Sequence, residues 1–200
     1  MADSAELTTK GLRLEGLNKM AEGDRNYLIS LFRTIPGFPA KNILFRDFVP
    51  VLADARAYAL LINALAQALP VSLDDFDYIG GLESRGFLIG APLALKLGKG
   101  FIPFRKAGKL PPPVLHQEYS LEYGSAALEI PADGAVITGT KIALVDDVLA
   151  TGGTLAGARQ LLESAGAEVV GAVVVLEVEG LGGREKFGNL PISVLNATTE

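Results

Sequence analysis

The chain has 200 residues, of which 49% are hydrophobic and 20% charged, and its formal net charge at pH 7 is −5. This length fits one domain with a sizeable core, and the acidic balance without a basic stripe argues against a nucleic-acid partner. There are no cysteines and one histidine, His116, which excludes disulfides, thiolate metal sites and histidine-rich metal sites. Residues 1–16 lack the apolar block of a secretory signal, and no apolar stretch is long enough to span a membrane. We therefore expect a cytoplasmic protein without a membrane partner.

The predicted elements alternate between helices and strands along most of the chain. Residues 20–34 fit a short helix, and residues 42–52, NILFRDFVPVL, are predicted to be extended or a loop. Apolar patterning then predicts helices over 53–69, 86–97 and 154–165, and strands over 76–82, 100–104, 142–145 and 167–178, followed by a short helix and a last strand. This alternation predicts an α/β fold, a twisted and mostly parallel sheet flanked by helices on both faces.

A long polar stretch, residues 105–124, interrupts the alternation. It contains three consecutive prolines and no helical period, so we expect an irregular loop. Loops of this length in a compact domain are usually functional or mobile.

The segment IALVDDVLATGGTLAGA, residues 142–158, predicts a strand, a turn and a helix in succession. The first amides of a helix have no partner inside it, and the helix dipole adds about half a positive charge there. Glycines in the turn let an anion approach the backbone closely. The residues predicted to hold a monophosphate in this way are Ala150, Thr151, Gly152, Gly153 and Thr154.

Two adjacent acids, Asp146 and Asp147, precede this turn. Ionised carboxylates only accept hydrogen bonds, so they suit a ligand that presents hydroxyl groups beside its phosphate. A sugar phosphate meets both demands, with ribose hydroxyls on the acids and the phosphate on the turn. The alternative is a threonine helix cap preceded by acids that favour the dipole, which explains an isolated Asp-Asp or Thr-Gly-Gly better than the full run. Neither a P-loop nor a G-x-G-x-x-G motif occurs.

The run IALVDDVLATGGT closely resembles the phosphoribosyl-pyrophosphate-binding signature of type I phosphoribosyltransferases. NILFRD (42–47), ESRGFLIGAPLA (83–94) and the stretch 105–124 look like the adenine-specific branch of that family, in the same order and with similar spacing. The likeness covers roughly residues 35 to 195. It implies a type I phosphoribosyltransferase fold with a small hood region, in a single domain over residues 1–200. Residues 1–50 and the C-terminal segment would supply an N-terminal arm and the hood, and the protein would be a homodimer.

The resemblance implies that adenine and 5-phosphoribosyl 1-pyrophosphate are converted to AMP and pyrophosphate, a reaction of purine salvage. It assigns catalytic roles to three residues. Arg85 lies in a turn that binds pyrophosphate and contains a non-proline cis peptide in the family. Lys109 resembles the family's pyrophosphate-binding lysine in a mobile lid. Glu122 corresponds to the carboxylate that exchanges a proton with the purine.

Base recognition and the metal are also implied by the resemblance. Leu44 and Phe45 would offer an apolar surface to adenine, and the backbone at Arg46 would bind the edge of the base. Without the family, Phe45 would be a core residue, and Arg46 with Asp47 a surface pair. Mg²⁺ would arrive with the pyrophosphate group, with waters and Asp146 or Asp147 completing its shell, and no metal site built from protein alone is expected.

Two alternatives remain open. A phosphoribosyltransferase for another base would share the phosphate turn. It should lack the pair of motifs ILFRD (43–47) and SLEYG (120–124). A non-catalytic regulator that senses phosphoribosyl pyrophosphate would keep the site and append a DNA-binding module. The N-terminal forty residues are too short and insufficiently basic for such a module.

Overall fold

The structure is a computed structural model that describes residues 12–37, 41, 44–121, 124–132, 134, 136 and 138–198. The strands are β1 (Leu12–Leu14), β2 (Arg33–Pro36), β3 (Leu44–Asp47), β4 (Tyr78–Leu82), β5 (Gly100–Lys106), β6 (Val114–Leu121), β7 (Gly124–Pro131), β8 (Lys141–Leu149), β9 (Glu168–Val178) and β10 (Ile192–Thr198). The α-helices are α1 (Glu22–Ser30), α2 (Val49–Ala53), α3 (Ala55–Ala68), α4 (Arg85–Leu97), α5 (Gly153–Ser164) and α6 (Gly183–Phe187), and short 3₁₀ helices cover Gly16–Lys19 and Leu73–Asp75.

Among the described residues, eight strands form one sheet in the order β1-β10-β9-β8-β4-β5-β7-β6. From β10 to β5, each strand runs parallel to the next strand in this order. The edge strand β1 and the hairpin of β6 and β7 are antiparallel. Strands β2 and β3 pair separately as an antiparallel hairpin. The predicted mostly parallel α/β sheet is therefore confirmed.

Two apolar clusters cover the two faces of this sheet. Alternate residues of β8 belong to different clusters: Ala143 and Val145 pack with helices α3 and α4, while Ile142 and Leu144 pack with α5. This is the pattern of a strand buried on both faces. Each fully buried large apolar side chain contributes about 1.5–3 kcal/mol, so the central strands are firmly held. Their carboxyl ends are thereby fixed in space, and the loops that follow them meet at one edge.

Most predicted helices and strands lie within a few residues of the observed ones. The exception in the N-terminal part is residues 49–52, which were expected to be extended but begin helix α2. The carboxylate of Asp47 accepts a hydrogen bond from the Val49 amide at 2.9 Å, which starts this turn. Proline in the first turn costs no helical hydrogen bond, so Pro50 does not prevent it.

The irregular loop expected over residues 105–124 is wrong for much of its length. Strand β5 continues to Lys106, and residues 114–121 form β6, which pairs antiparallel with β7. Leu128 and Ile130 of β7 are buried in the core and attach the hairpin to the edge of the sheet. These two apolar residues lie outside the polar stretch 105–124. The composition of that stretch therefore does not predict β6.

None of the helices in the described ranges is both long and apolar enough to cross a membrane.

Candidate active site

The predicted phosphate turn follows β8 at the carboxyl edge of the parallel sheet. The strand continues four residues beyond Val145, so both acids belong to the strand rather than to a loop after it. Gly152 adopts a left-handed conformation, with φ of 74°, and caps helix α5. Asp146 and residues 148–155 line a cavity of about 70 Å³ at this turn. We call residues 150–154 the cradle.

The two acids beside the cradle have different surroundings. Both side chains are almost fully buried. The Asp147 amide donates to the Asp146 carboxylate at 2.9 Å. Burial, followed by the charge of Asp147, raises the pKa of Asp146 well above its usual range. The Asp147 carboxylate instead forms an ion pair with the Nε of Arg85 at 2.5 Å.

The turn between β4 and α4 brings Arg85 to these acids. The Glu83–Ser84 peptide is cis, as the resemblance implies. Gly86 lies so close to β8 that a Cβ atom there would be 3.0 Å from the Val145 carbonyl oxygen and 3.2 Å from the Asp146 carboxylate. This close approach sets Arg85 against Asp147. The role of Gly86 was not predicted, although its place in the Ser-Arg-Gly run was the available signal.

The same turn is tied to the end of β5. The Glu83 carboxylate accepts from the Lys106 amide at 2.8 Å and from the Arg105 Nε at 3.0 Å. The hydrogen bond from the Lys106 amide is the largest influence on the Glu83 carboxyl, whose pKa lies below its usual value. Lys109 follows three residues later and is exposed. Glu122 lies outside the described residues.

The β2–β3 hairpin places the predicted base-binding segment beside Arg85. The guanidinium carbon of Arg85 lies 5.6 Å from the centre of the Phe45 ring. Leu44 begins β3. Arg46 and Asp47 are both buried, so the alternative of a surface pair is wrong. The Arg46 guanidinium bonds to the Thr34 hydroxyl, and burial lowers its pKa.

The cradle has two contacts that sequence reasoning missed. Gly152 was expected to leave room for an anion, yet a Cβ there would lie 2.4 Å from the carbonyl oxygen of Gly183. The absent side chain therefore admits the backbone of α6. On another side, Tyr119 of β6 lies beside Thr154. Its ring covers Gly157, where a Cβ would be 2.7 Å from the ring.

The structure thus joins the cradle, the acid pair, Arg85 and the Phe45 hairpin at one sheet edge. Comparison with known proteins agrees with this arrangement, because a model of the phosphoribosyl transferase domain matches residues 52–190. The fold and the cradle define the chain as a phosphoribosyltransferase, an enzyme of the pentosyltransferase class.

The relatives narrow this class. The adenine phosphoribosyltransferase of Bifidobacterium adolescentis is 52% identical over 189 residues, covering 94% of this chain and 97% of that protein. The crystal structure of adenine phosphoribosyltransferase from Thermoanaerobacter pseudethanolicus matches with a TM-score of 0.79 and 47% identity, covering 84% of this chain and 96% of the other. The chain belongs to the adenine phosphoribosyltransferase family.

A third relative was solved with ligands. The crystal structure of adenine phosphoribosyltransferase from Saccharomyces cerevisiae is complexed with D-2,5-dideoxy-2,5-imino-altritol 1,6-bisphosphate and adenine. It matches with a TM-score of 0.78 and 40% identity, covering 88% of this chain and 99% of the other.

Proposed function

We propose that the site transfers the phosphoribosyl group of 5-phosphoribosyl 1-pyrophosphate to N9 of adenine, releasing AMP and pyrophosphate in purine salvage. The observation that carries this is the ion pair between Arg85 and Asp147 beside the cradle. This ion pair directly joins the turn proposed to bind pyrophosphate, through Arg85, to the site proposed to bind ribose phosphate, through Asp147. The yeast relative, crystallised with adenine and a bisphosphate, supports the same pair of ligands.

The cradle and the acids hold the ribose phosphate in this proposal. The backbone amides at the start of α5 and the hydroxyls of Thr151 and Thr154 donate to the 5′-phosphate. Asp146 and Asp147 bind the ribose hydroxyls.

Pyrophosphate is held by the turn before α4 and by the lid. The Arg85 fork matches phosphate oxygens, and its partner Asp147 lets it go when the more highly charged pyrophosphate arrives. Lys109 adds a cation from the segment that follows Arg105 and Lys106. Neutralising the leaving group in a site that excludes water lowers the barrier to cleavage of the bond at ribose C1.

Adenine stacks beside Phe45 and Leu44, with the backbone at Arg46 binding the edge of the base. Burial of the Arg46 side chain supports a fixed backbone at this position. A carbonyl oxygen can accept from the exocyclic amine, and an amide can donate to N1. Glu122 exchanges the purine proton, which must leave as N9 bonds to C1.

Magnesium is proposed to enter with the pyrophosphate group. Asp146 and Asp147 supply carboxylate oxygens, the ligand type that Mg²⁺ takes, and two carboxylates with substrate oxygens and waters are a common shell. Across the described part of the chain, no cluster of three or more Asp, Glu or His is placed to hold a metal alone. Bound there, the ion would offset charge on the leaving group.

We further propose one domain over residues 1–200, a homodimer, and a cytoplasmic location. Residues 1–50 and the C-terminal segment form the arm and hood, and the β2–β3 hairpin beside Arg85 supports this division. Helix α4 exposes Leu88 and Leu95, seven residues apart on one face, which suits burial against a second copy. A highly charged phosphorylated substrate does not cross a membrane unaided, so the reaction belongs where that substrate is made.

The test is to mix the protein with Mg²⁺, phosphoribosyl pyrophosphate and one base at a time. Adenine should give AMP, and guanine, hypoxanthine and orotate should give no nucleotide. Product from another base would instead support the alternative transferase. Binding of phosphoribosyl pyrophosphate without product from any base would support the sensing regulator and contradict the proposal.

A further inference from the structure

Helix α6 supports the cradle from behind through direct backbone contact. A Cβ atom at Gly152 would lie 2.4 Å from the Gly183 carbonyl oxygen, and one at Gly183 would lie 2.3 Å from the Ala150 carbonyl oxygen. No side chain can stand between two segments at these distances. The position of the cradle backbone is therefore set by where α6 begins.

Arg184 fixes that beginning to the sheet. Its Nε and Nη2 donate to the two carboxylate oxygens of Glu177 at 2.8 Å and 2.6 Å. Glu177 is nearly buried and pairs in the parallel ladder with Leu149, the last residue of β8 before the cradle. These two hydrogen bonds therefore attach α6 to β9, which pairs with β8, the strand that leads into the cradle.

A second arginine holds the other end of α6. The Nη1 of Arg159, on α5, donates to the Phe187 carbonyl at 2.9 Å. Phe187 is fully buried, so this end cannot slide without opening the core. Since α5 is the helix whose first amides belong to the cradle, α6 is attached both to this helix and to β9, the strand beside the cradle's own.

We propose that Gly183 and Arg184 are positioning residues for the 5′-phosphate of the ribose substrate, acting through the cradle without touching the ligand. The proposal rests on the proposed function, since it concerns the same site. Hydrogen bonds to an anion depend steeply on donor distance, and donors that are fixed before binding lose nothing to reorganisation. A side chain at Gly183 pushes the cradle forward, and a broken fork at Arg184 lets it move.

The first test measures binding of ribose 5-phosphate and, separately, of pyrophosphate to Gly183→Ala. The dissociation constant of ribose 5-phosphate should rise about tenfold or more, as expected from loss of one charged hydrogen bond. That of pyrophosphate, which contacts the Arg85 turn, should change less than about twofold. General damage to the fold would weaken both ligands. The matched control is Gly23→Ala, a helical position with open space around it.

Variants of Arg184 provide the second test. This test does not require that the fold accept a side chain at position 183. Arg184→Lys should weaken ribose 5-phosphate less than Arg184→Gln, because lysine keeps the charge and loses the fork. In both, KM for phosphoribosyl pyrophosphate should rise while kcat changes little. The control is Lys186→Ala, an exposed residue of the same helix.

Unchanged ribose 5-phosphate affinity in the folded Gly183 and Arg184 variants would overturn the inference. The same experiments distinguish failure of the positioning role from failure of the proposed reaction. If the wild-type protein binds ribose 5-phosphate but makes no AMP, and the variants still bind it more weakly, the positioning role stands and the proposed reaction fails. If the wild-type protein does not bind ribose 5-phosphate, both fail.

Discussion

Asp146 is a buried carboxyl beside another acid, and this arrangement works against stability. A raised carboxyl pKa means that the folded chain holds the proton more tightly than the unfolded chain does. The contribution of this group to the free energy of unfolding is therefore most favourable below its unfolded pKa. It falls as the pH rises through the folded pKa, and the penalty is complete above it. A site that tolerates such a penalty at neutral pH retains the acid for its ligand.

We expect Asp146→Asn to raise the free energy of unfolding at pH 7 by about 1 kcal/mol, because the amide has no charge to bury. The same change should raise KM for phosphoribosyl pyrophosphate. Denaturant melts of both proteins at pH 5 and pH 8 provide the measurement. The gain should be smaller at pH 5, and an equal gain at both values would contradict the assignment of the titrating group.

Arg85 combines an ion pair with Asp147 and a contact with the Phe45 ring. Lysine cannot form a two-pronged bond to phosphate. Arg85→Lys should therefore lower kcat/KM for phosphoribosyl pyrophosphate by about 10- to 100-fold. The melting temperature should hardly move, because ion pairs of partly exposed arginines contribute about 0–1 kcal/mol. Arg56→Lys, at an exposed pair with Asp24, is the control and should leave the kinetics unchanged.

Residue types with a chemical purpose were the easiest to predict from the sequence. The acids and the cradle were singled out because their order along the chain matches a ligand with a phosphate and hydroxyls, whereas Arg85 was singled out because its segment resembles the family's pyrophosphate-binding turn. The reason for Gly152 was missed, because its neighbour Gly183 is distant in sequence. The only sign of a backbone-to-backbone contact in the sequence is a glycine at each position. Glycine is also common in turns for other reasons, so this sign is not specific.

At the scale of elements, the β6–β7 hairpin is joined to helix α5 through one aromatic ring. The nearest ring atoms to a Cβ at Gly157 belong to the root of the Tyr119 side chain, at 2.7 Å and 2.8 Å. The Tyr119 Cβ is also only 3.0 Å away and moves only with its backbone, so the strand itself would have to shift. The hairpin that carries Tyr119 therefore needs a glycine on the helix.

Gly157→Ala should loosen the hairpin while the helix stays intact. Alanine favours a helix over glycine by about 1 kcal/mol, which offsets part of the lost packing. Amide hydrogen exchange over residues 114–121 should become faster, whereas exchange in α3 should stay the same. Tyr119→Phe is the companion variant: it keeps the ring on Gly157 and removes only the hydroxyl group beside Thr154. Equal exchange in wild type and Gly157→Ala would show that the ring contact does not hold the hairpin.

Helices and strands were predictable where one apolar period continued for several turns or several residues. Helices α3 and α4 have this property, and so does β9, whose interior is almost entirely apolar. Strand β6 does not have this property, since it mixes polar and apolar residues and depends on the buried side chains of β7. Its strand character comes from the partner, which a local pattern does not contain.

At the scale of the molecule, the exposed face of α4 is the surface on which the proposed homodimer would form. Leu95 is 84% exposed and Leu88 is 48% exposed. In the proposed homodimer, Leu95→Lys would bury a charge and should raise the dimer dissociation constant by about 100-fold or more. Sedimentation velocity across a range of concentrations measures this. Leu73→Lys, an exposed leucine outside α4, should leave the dimer intact, and an unaffected dimer in Leu95→Lys would exclude this face.

The fold class followed from strand and helix alternation, but the order of strands did not. Parallel neighbours with right-handed crossovers still allow several orders, and the choice depends on which faces pack best. The edge strand β1 illustrates this, since its residues 12–14 lay in a segment with no recognisable pattern. Its position is given by β10, with which it pairs from Leu12 opposite Thr198 to Leu14 opposite Asn196.

That pairing has a consequence for biosynthesis. A ribosome makes residues 12–14 long before residues 192–198, so β1 leaves the exit tunnel well before its ladder neighbour among the described strands exists. At translation rates of about 5–20 residues per second, the wait is on the order of ten seconds or more. Helix α6 follows the cradle along the chain, so a nascent chain has no supported phosphate site until residues 183–187 have been made.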